Sequence, residues 1–214
     1  MVFLFLNYLP ISKHFHILLA FPNVYYSNLR NKGELNNMQS VKKEVSMMFD
    51  PSADPYATPA EPANTEEPPA RFGAKDVVDL NWVNLLNAYT CTECGRCSSS
   101  CPANQTGKKL SPRKIMMDTR DRLEEVGRNY RKHGVGHEDG KSLLGDYITE
   151  EEVWACTSCN ACVEECPVNI DPLSIIIDLR RYLVMEESKS PSELTTMFTN
   201  IENNGAPWQF SPMD

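Results

Sequence analysis

The residues best suited to chemistry in this sequence are its eight cysteines, which all lie between Cys91 and Cys166. They form two runs with one spacing, C-x2-C-x2-C-x3-C-P. The runs comprise Cys91, Cys94, Cys97, Cys101 and Pro102, and then Cys156, Cys159, Cys162, Cys166 and Pro167. Three thiolates two residues apart on a tight loop can bind three irons of one cubane, and the closing proline turns the chain away from it. The spacing therefore predicts [4Fe–4S] clusters.

The fourth cysteine of each run has a separate assignment. In proteins that bind two clusters with this spacing, the fourth cysteine binds the cluster of the other run. We therefore expect two clusters that exchange one ligand each. Cluster 1 would be held by Cys91, Cys94, Cys97 and Cys166, and cluster 2 by Cys156, Cys159, Cys162 and Cys101.

Two other uses of clustered cysteines fit this spacing less well. Structural zinc usually takes pairs of C-x2-C knuckles, so eight cysteines could hold two zinc ions, but the third cysteine and the C-P ending are not typical of zinc sites. Disulfides form in oxidising compartments, and cysteines this close in sequence would pair locally under strain. A non-redox scaffold with two structural zinc sites is the alternative function.

The composition limits the other functions of the chain. Its 214 residues, 41% hydrophobic and 23% charged, are ordinary for a soluble protein and exclude a collagen-like or wholly disordered chain. A net charge of −8 argues against a nucleic-acid partner, which requires a basic surface. Gly140-Lys141-Ser142 lacks the earlier glycine of a phosphate-binding loop, because Val135 stands in its place. Since no nucleophile–base pair or flavin loop is present either, no catalytic residue is predicted.

Four segments of the chain have the pattern of helices, and none has the alternation of a long strand. Apolar residues from Val77 to Leu86 recur at helical spacing within the first. A capping residue followed by proline, at Ser111-Pro112 and at Asp171-Pro172, opens the second and the fourth. The third begins at a capping box of Thr149 and Glu152. The predicted helices are 76–89, 111–126, one from 149, and 173–186, and the predicted fold class is all-α.

The N-terminal residues 1–26 are apolar but interrupted, and no stretch reaches the roughly 18–20 apolar residues of a spanning helix. They also lack the basic start and the cleavage site of a signal peptide. We expect either the end of a membrane segment or a short amphipathic anchor. The basic residues that follow favour the cytoplasmic face of the membrane for the rest of the chain. In such a segment His14 or His16 is a candidate haem ligand, and the alternative is an interfacial pair.

Four regions divide the chain. Residues 1–26 form the hydrophobic segment, and residues 27–74 form a basic stretch and a proline-rich linker, which is expected to be extended. Residues 75–190 form a helical ferredoxin domain around two clusters, and residues 191–214 form a C-terminal tail. The halves of the helical domain look like a duplicated unit of helix, cysteine loop and proline-started helix.

The cysteine runs and the closing segment from Asn203 to Trp208 resemble the C-type iron–sulfur subunit of heterodisulfide reductase. They are also similar to the α-helical ferredoxin domain of succinate dehydrogenase and fumarate reductase iron–sulfur subunits. The resemblance covers residues 75–210, although Ala206 replaces the asparagine usual in the closing segment. The heterodisulfide reductase type is preferred, because nothing in the chain supplies the cysteines of the [2Fe–2S] domain found in the succinate dehydrogenase type.

This resemblance implies an electron-transfer module of a membrane-associated oxidoreductase, with the substrate chemistry in partner subunits. The implied partners are a quinone-linked or cytochrome b subunit on one side and a cysteine-rich or flavin-bearing catalytic subunit on the other. Members of this group can be fused to a cytochrome b related to the gamma subunit of respiratory nitrate reductase, and residues 12–26 look like the end of its last membrane helix. We expect haem b only within such a larger membrane module, and we expect both ends of the chain to be incomplete.

Overall fold

The structure, a computed structural model, describes residues 1–29, 31, 33–49 and 71–209. The proline-rich linker at positions 51–70 therefore lies outside the described residues. Within the described ranges the chain forms eleven α-helices and no β-strand, which confirms the all-α fold class. The helices are α1 (Val2–Tyr8), α2 (His16–Tyr25), α3 (Gln39–Phe49), α4 (Trp82–Thr90), α5 (Arg96–Ser99), α6 (Pro102–Gln105), α7 (Pro112–His133), α8 (Glu150–Trp154), α9 (Ala161–Glu164), α10 (Pro172–Met185) and α11 (Ser192–Asn204).

The first predicted helix is broken into two parts. Val77–Asp79 form a single 3-10 turn, Leu80 is extended, and α4 begins only after Asn81. The Asn81 side chain accepts a hydrogen bond from the Val83 N–H (3.0 Å), which caps α4 at its N-terminus. The prediction of one helix over 76–89 is wrong, because Asp76 and Asn81 each cap a separate element.

The other predicted helix starts are confirmed. The Ser111 hydroxyl and the Asp171 carboxylate each accept a hydrogen bond from a backbone N–H three residues later, and α7 and α10 begin at the following prolines. The capping box of Thr149 and Glu152 opens α8. α7 continues beyond the predicted end at residue 126 to His133, because cationic side chains in its last turn complement the helix dipole.

One hydrophobic core lies between α7, α8 and α10. α7 contributes Ile115 and Met116 to it, and α10 contributes Leu179 and Leu183. Four of the eight cysteines pack in or against this core: Cys91, Cys101, Cys156 and Cys166. α5 packs against α9, and α10 packs against α4, α7, α8 and α9. The core therefore holds the two cysteine loops in a defined position relative to each other.

A buried arginine joins the segments on either side of α7. Arg122 is 3% exposed and forms ion pairs with Asp76 (2.6 Å) and Asp139 (2.6 Å). Its guanidinium also donates to the Lys141 carbonyl oxygen (2.7 Å). The guanidinium and the two carboxylates satisfy one another away from water, so they tie the loop after α7 to the residues that precede α4.

Helices α1 and α2 expose large apolar side chains. Those more than half exposed include Val2, Phe3, Leu4, Leu6, Phe21 and Tyr25. Among the described residues no single helix is long and apolar enough to cross a membrane. Val2–Ile11 and His16–Tyr25, which are bent by 58° from each other, could do so together by length and composition alone.

The N-terminal segment packs against the rest of the chain through α2. Asn23 of α2 is fully buried, and its side-chain amide donates to the Val168 carbonyl oxygen (2.8 Å). Tyr26 meets Trp82 of α4 edge to face, with ring centroids 4.9 Å apart. α2 therefore lies beside α4, which leads into the first cysteine run, and beside the residues that follow Cys166. The four domain boundaries given above remain predictions.

Candidate iron–sulfur centres

The two cysteine runs fold into the same loop. In each run the second residue after the first cysteine, Glu93 or Ser158, has a positive φ (59° and 56°). Two residues further on, Gly95 (84°) and Asn160 (61°) are also left-handed, and each caps a one-turn helix, α5 or α9. Two left-handed residues so close together curl the chain tightly, as the binding of three thiolates by one loop requires. The loops repeat each other in conformation as well as in sequence.

Three thiols of the first predicted ligand set interact through space. Burial raises the pKa of Cys91, and the nearby Cys166 raises it further. Burial likewise raises the pKa of Cys97, with contributions from Cys91 and Cys166. The fold thus brings the fourth cysteine of the second run beside the first and third cysteines of the first run. Cys94, the remaining member, is exposed.

The second predicted ligand set has the reciprocal arrangement. Burial raises the pKa of Cys162 to about 12, and both Cys156 and Cys101 contribute to the shift. Burial also raises the pKa of Cys156, again with a contribution from Cys101. Cys97 of the first set acts on Cys162 as well, so the two sets are neighbours. Cys159 is exposed, as Cys94 is in the first set.

The chemistry of this donor set fits two [4Fe–4S] clusters. All eight cysteines are free thiols, and their burial makes the thiolate form costly until iron supplies a compensating positive charge. The Ser158 N–H donates to the Cys156 sulfur (3.4 Å), and the Glu93 N–H donates to the Cys91 sulfur. Hydrogen bonds of this kind tune the potential of sulfur-ligated iron. In the described part of the chain, no three His, Cys, Asp or Glu side chains are placed to hold a single metal ion.

Two arginines approach the cysteine loops, and the sequence patterns did not single them out. Arg120 of α7 forms an ion pair with Glu93 (2.6 Å), and Arg180 of α10 donates to the Ser158 hydroxyl (3.3 Å). Arg180 also donates to the Cys156 carbonyl oxygen. The signal that could have found them is the internal repeat, because each arginine stands equally far from the proline that opens its helix.

The two histidines predicted as haem ligands, His14 and His16, line an open cavity of 840 Å³ between the N-terminal segment and α7. Tyr89 and Cys91 line the same cavity. The His14 N–H donates to the Ser12 hydroxyl (3.2 Å), which caps the short turn before α2. Haem binding by His14 or His16 stays a prediction.

Comparison with known proteins bears on the nature of these centres. Residues 87–170 match the family model of the 4Fe-4S dicluster domain. The chain is 34% identical to a probable iron-sulfur-binding oxidoreductase, FadF, of Bacillus subtilis, over 95% of this chain and 30% of the relative. It is 32% identical to the C-type subunit of the ferredoxin/F(420)H(2)-dependent CoB-CoM heterodisulfide reductase of Methanosarcina acetivorans, over 53% of this chain and 56% of the relative. The chain belongs to the heterodisulfide reductase-like iron–sulfur proteins of the C type.

This heterodisulfide reductase-like chain is also 30% identical to the EtfAB:quinone oxidoreductase of Syntrophomonas wolfei, over 96% of this chain and 28% of the relative. It therefore spans less than a third of the FadF and EtfAB:quinone oxidoreductase chains. The predictions of two [4Fe–4S] clusters and of an electron-transfer module are confirmed, and the zinc alternative is not supported. The assignment of individual cysteines to each cluster remains a prediction.

Proposed function

We propose that this heterodisulfide reductase-like chain carries electrons within a membrane-associated oxidoreductase complex. One partner would be a quinone-linked or cytochrome b subunit, and the other a flavin-bearing or cysteine-rich catalytic subunit. The observation that carries the proposal is the adjacency of the two cysteine sets, in which Cys97 acts on Cys162. When bound, a [4Fe–4S] cluster accepts and donates single electrons, so two neighbouring sets provide a path through the domain.

The proposed ligand sets exchange their fourth cysteines. Cluster 1 is assigned to Cys91, Cys94, Cys97 and Cys166, and cluster 2 to Cys156, Cys159, Cys162 and Cys101. The effects of Cys166 on the first set and of Cys101 on the second support this exchange. The exposed Cys94 and Cys159 bring one edge of each set to the surface, where a redox partner can approach.

A membrane location for the first partner rests on the N-terminal segment. The exposed apolar side chains of α1 and α2 support contact with lipid, and α2 packs beside the helix that leads into Cys91. One similar protein is named for a quinone, and a quinone-linked partner would suit this location. We assign the cluster domain to the cytoplasmic face, because basic residues follow the apolar segment. Haem b at His14 or His16 is part of the proposal only within a larger membrane module.

Electron transfer from a lipid-soluble donor tests the proposal. The anaerobically purified chain, with both clusters reconstituted, is mixed with liposomes that contain menaquinol, and bleaching of the visible absorbance is followed in a stopped-flow instrument. We expect the protein to float with the liposomes and its clusters to be reduced. Phe3→Glu combined with Leu6→Glu should abolish flotation and slow reduction at least tenfold, because both charges would enter the lipid-facing surface.

Two controls separate membrane contact from cluster chemistry. Val135→Glu places the same charge on an exposed apolar residue in the loop after α7, and it should leave flotation and reduction unchanged. Dithionite should reduce all variants equally, because it needs no membrane. Equal reduction of the double variant and the wild type by menaquinol would contradict the proposed membrane partner.

A further inference from the structure

The duplicated fold places an arginine in the equivalent position beside each cysteine loop. Arg120 of α7 and Arg180 of α10 are equally far in sequence from the proline that opens each helix. Burial raises the pKa of Cys91 and of Cys156, and in each case the nearby arginine opposes that shift. Each guanidinium therefore acts electrostatically on the first cysteine of its run.

The charge of Arg120 is compensated. Its guanidinium forms an ion pair with Glu93 at 2.6 Å, and the two side chains are only 20% and 17% exposed. Its Nε atom also lies 3.7 Å from the carboxylate of Asp121. Opposite charges in contact cancel most of each other's field at a distance. The first cysteine loop therefore faces a nearly neutral pair.

The charge of Arg180 meets neutral acceptors instead. Its guanidinium donates to the carbonyl oxygens of Val153 (2.8 Å) and Cys156 and to the Ser158 hydroxyl (3.3 Å). It also lies over the ring of Trp154, 5.2 Å from the centroid. Among the residues that the structure describes, no carboxylate forms an ion pair with Arg180. The second loop therefore faces an arginine whose positive charge is not neutralised by contact.

We propose that the difference between Glu93 and Ser158 sets the reduction potentials of the two centres apart, with the higher potential at the centre bound by the second run. Reduction adds an electron, and an uncompensated guanidinium beside the ligands stabilises the reduced form. At the first run Glu93 cancels that stabilisation. The difference favours electron movement from the centre of the first run to the centre of the second.

The inference rests on the proposed function only as far as cluster binding by the first three cysteines of each run. It does not depend on which fourth cysteine completes each set, because each arginine acts on the first cysteine of its own run.

One carboxylate also lies near the second centre. Asp171 acts on Cys162, but it caps α10 by accepting a hydrogen bond from the Ser174 N–H (3.0 Å). The partial positive charge at the start of this helix offsets the carboxylate, and burial raises the pKa of Asp171 toward the neutral form. Asp171 therefore compensates Arg180 less than Glu93 compensates Arg120.

Charge exchange between the two loops tests the inference in the full chain with both clusters bound. Ser158→Glu supplies the missing carboxylate, and Glu93→Gln removes the existing one. Position 158 can hold a glutamate, because Glu93 has the same positive φ in the equivalent loop. Ser158→Asn is the matched uncharged control, since asparagine accepts this backbone conformation. EPR-monitored redox titration measures both midpoint potentials of each variant.

We expect Ser158→Glu to lower the higher of the two midpoint potentials and Glu93→Gln to raise the lower one. Each shift should be about tenfold in the reduction equilibrium, which is about 59 mV for one electron. Ser158→Asn should leave both potentials unchanged. The inference is overturned if Ser158→Glu leaves the higher potential in place, or if Glu93→Gln moves the higher potential rather than the lower. Failure of the proposed function would look different, because the unsubstituted protein would then lack two cluster signals.

Discussion

Cys101 lies far from its own run in function, although it is adjacent in sequence. It closes the first run, yet its thiol is buried beside Cys156 and Cys162 of the second. The one-turn helix α5 leads from the first loop toward this position, and α9 leads to Cys166 in the same way. Because α5 packs against α9, each fourth cysteine ends beside the opposite loop.

Serine substitution of the fourth cysteine tests the exchange of ligands at this scale. Cys101→Ser should damage the centre bound by the second run and leave the centre of the first run intact, because the serine replaces a thiolate that belongs to the other loop. Low-temperature EPR of the reduced protein should show the loss of one of two signals.

A second group of variants identifies which signal is lost. Cys159→Ser should remove the same signal as Cys101→Ser, whereas Cys94→Ser and Cys166→Ser should both remove the other. If Cys101→Ser and Cys94→Ser abolish the same signal, each run binds its own cluster and the exchange is wrong.

At the scale of the elements, the ion cluster around Arg122 holds the loop after α7 in place. Asp139 pairs with Arg122 at 2.6 Å and also accepts hydrogen bonds from Asn129 (2.7 Å) and the Lys141 N–H (3.1 Å). The bond from Arg122 holds the pKa of Asp139 well below its usual range. The ionised carboxylate is therefore part of the folded structure of this loop.

Asp139→Asn should lower the free energy of unfolding by about 2 kcal/mol near neutral pH, because it removes a charge-assisted pair. A folded pKa below the unfolded one stabilises the protein above the unfolded value, and that contribution disappears as the pH falls through the folded value. The difference between wild type and variant should therefore stay constant near neutral pH and shrink below about pH 4. Urea unfolding at a series of pH values measures it.

Glu138→Gln is the control for this prediction, because Glu138 is exposed and its substitution removes the same charge from the same loop. It should change the free energy of unfolding by less than about 0.5 kcal/mol. Both variants should lose their clusters in acid to the same extent, so only the gap between them reports on Asp139. The absence of a gap at neutral pH would contradict the role of the ion cluster.

At the scale of the whole molecule, the cysteine loops depend on very short helices. α5, α6 and α9 have four residues each and α8 has five, which is too short for helices that are stable by themselves. They connect to the core mainly through the cysteines and the residues beside them. Iron binding is therefore expected to supply much of the folding free energy.

Removal of iron should unfold most of this helical domain. Far-UV circular dichroism before and after anaerobic iron chelation should show a large loss of helix, and the metal-free protein should melt without a cooperative transition. Reconstitution with iron and sulfide should restore both signals. Unchanged helicity together with a cooperative melt in the metal-free protein would contradict this expectation.

Local features of the protein could be predicted from its amino acids. The cysteine spacing indicated iron–sulfur chemistry, and the caps at Ser111, Thr149 and Asp171 marked the starts of α7, α8 and α10. Both kinds of signal act over three or four residues, so they survive whatever the rest of the chain does. The error at residues 76–89 arose because apolar periodicity continues across Asn81, where a cap starts a new helix.

The contacts between distant parts of the chain were decided only by the tertiary structure. Arg122 lies between Asp76 and Asp139, and Arg180 lies against the loop that follows Cys156. These contacts depend on how α7 and α10 pack over a shared core, and spacing along the chain carries no information about distance through space. The sequence repeats its cysteine loop almost unchanged, whereas the packing gives one copy a neutralised arginine and the other a positive one.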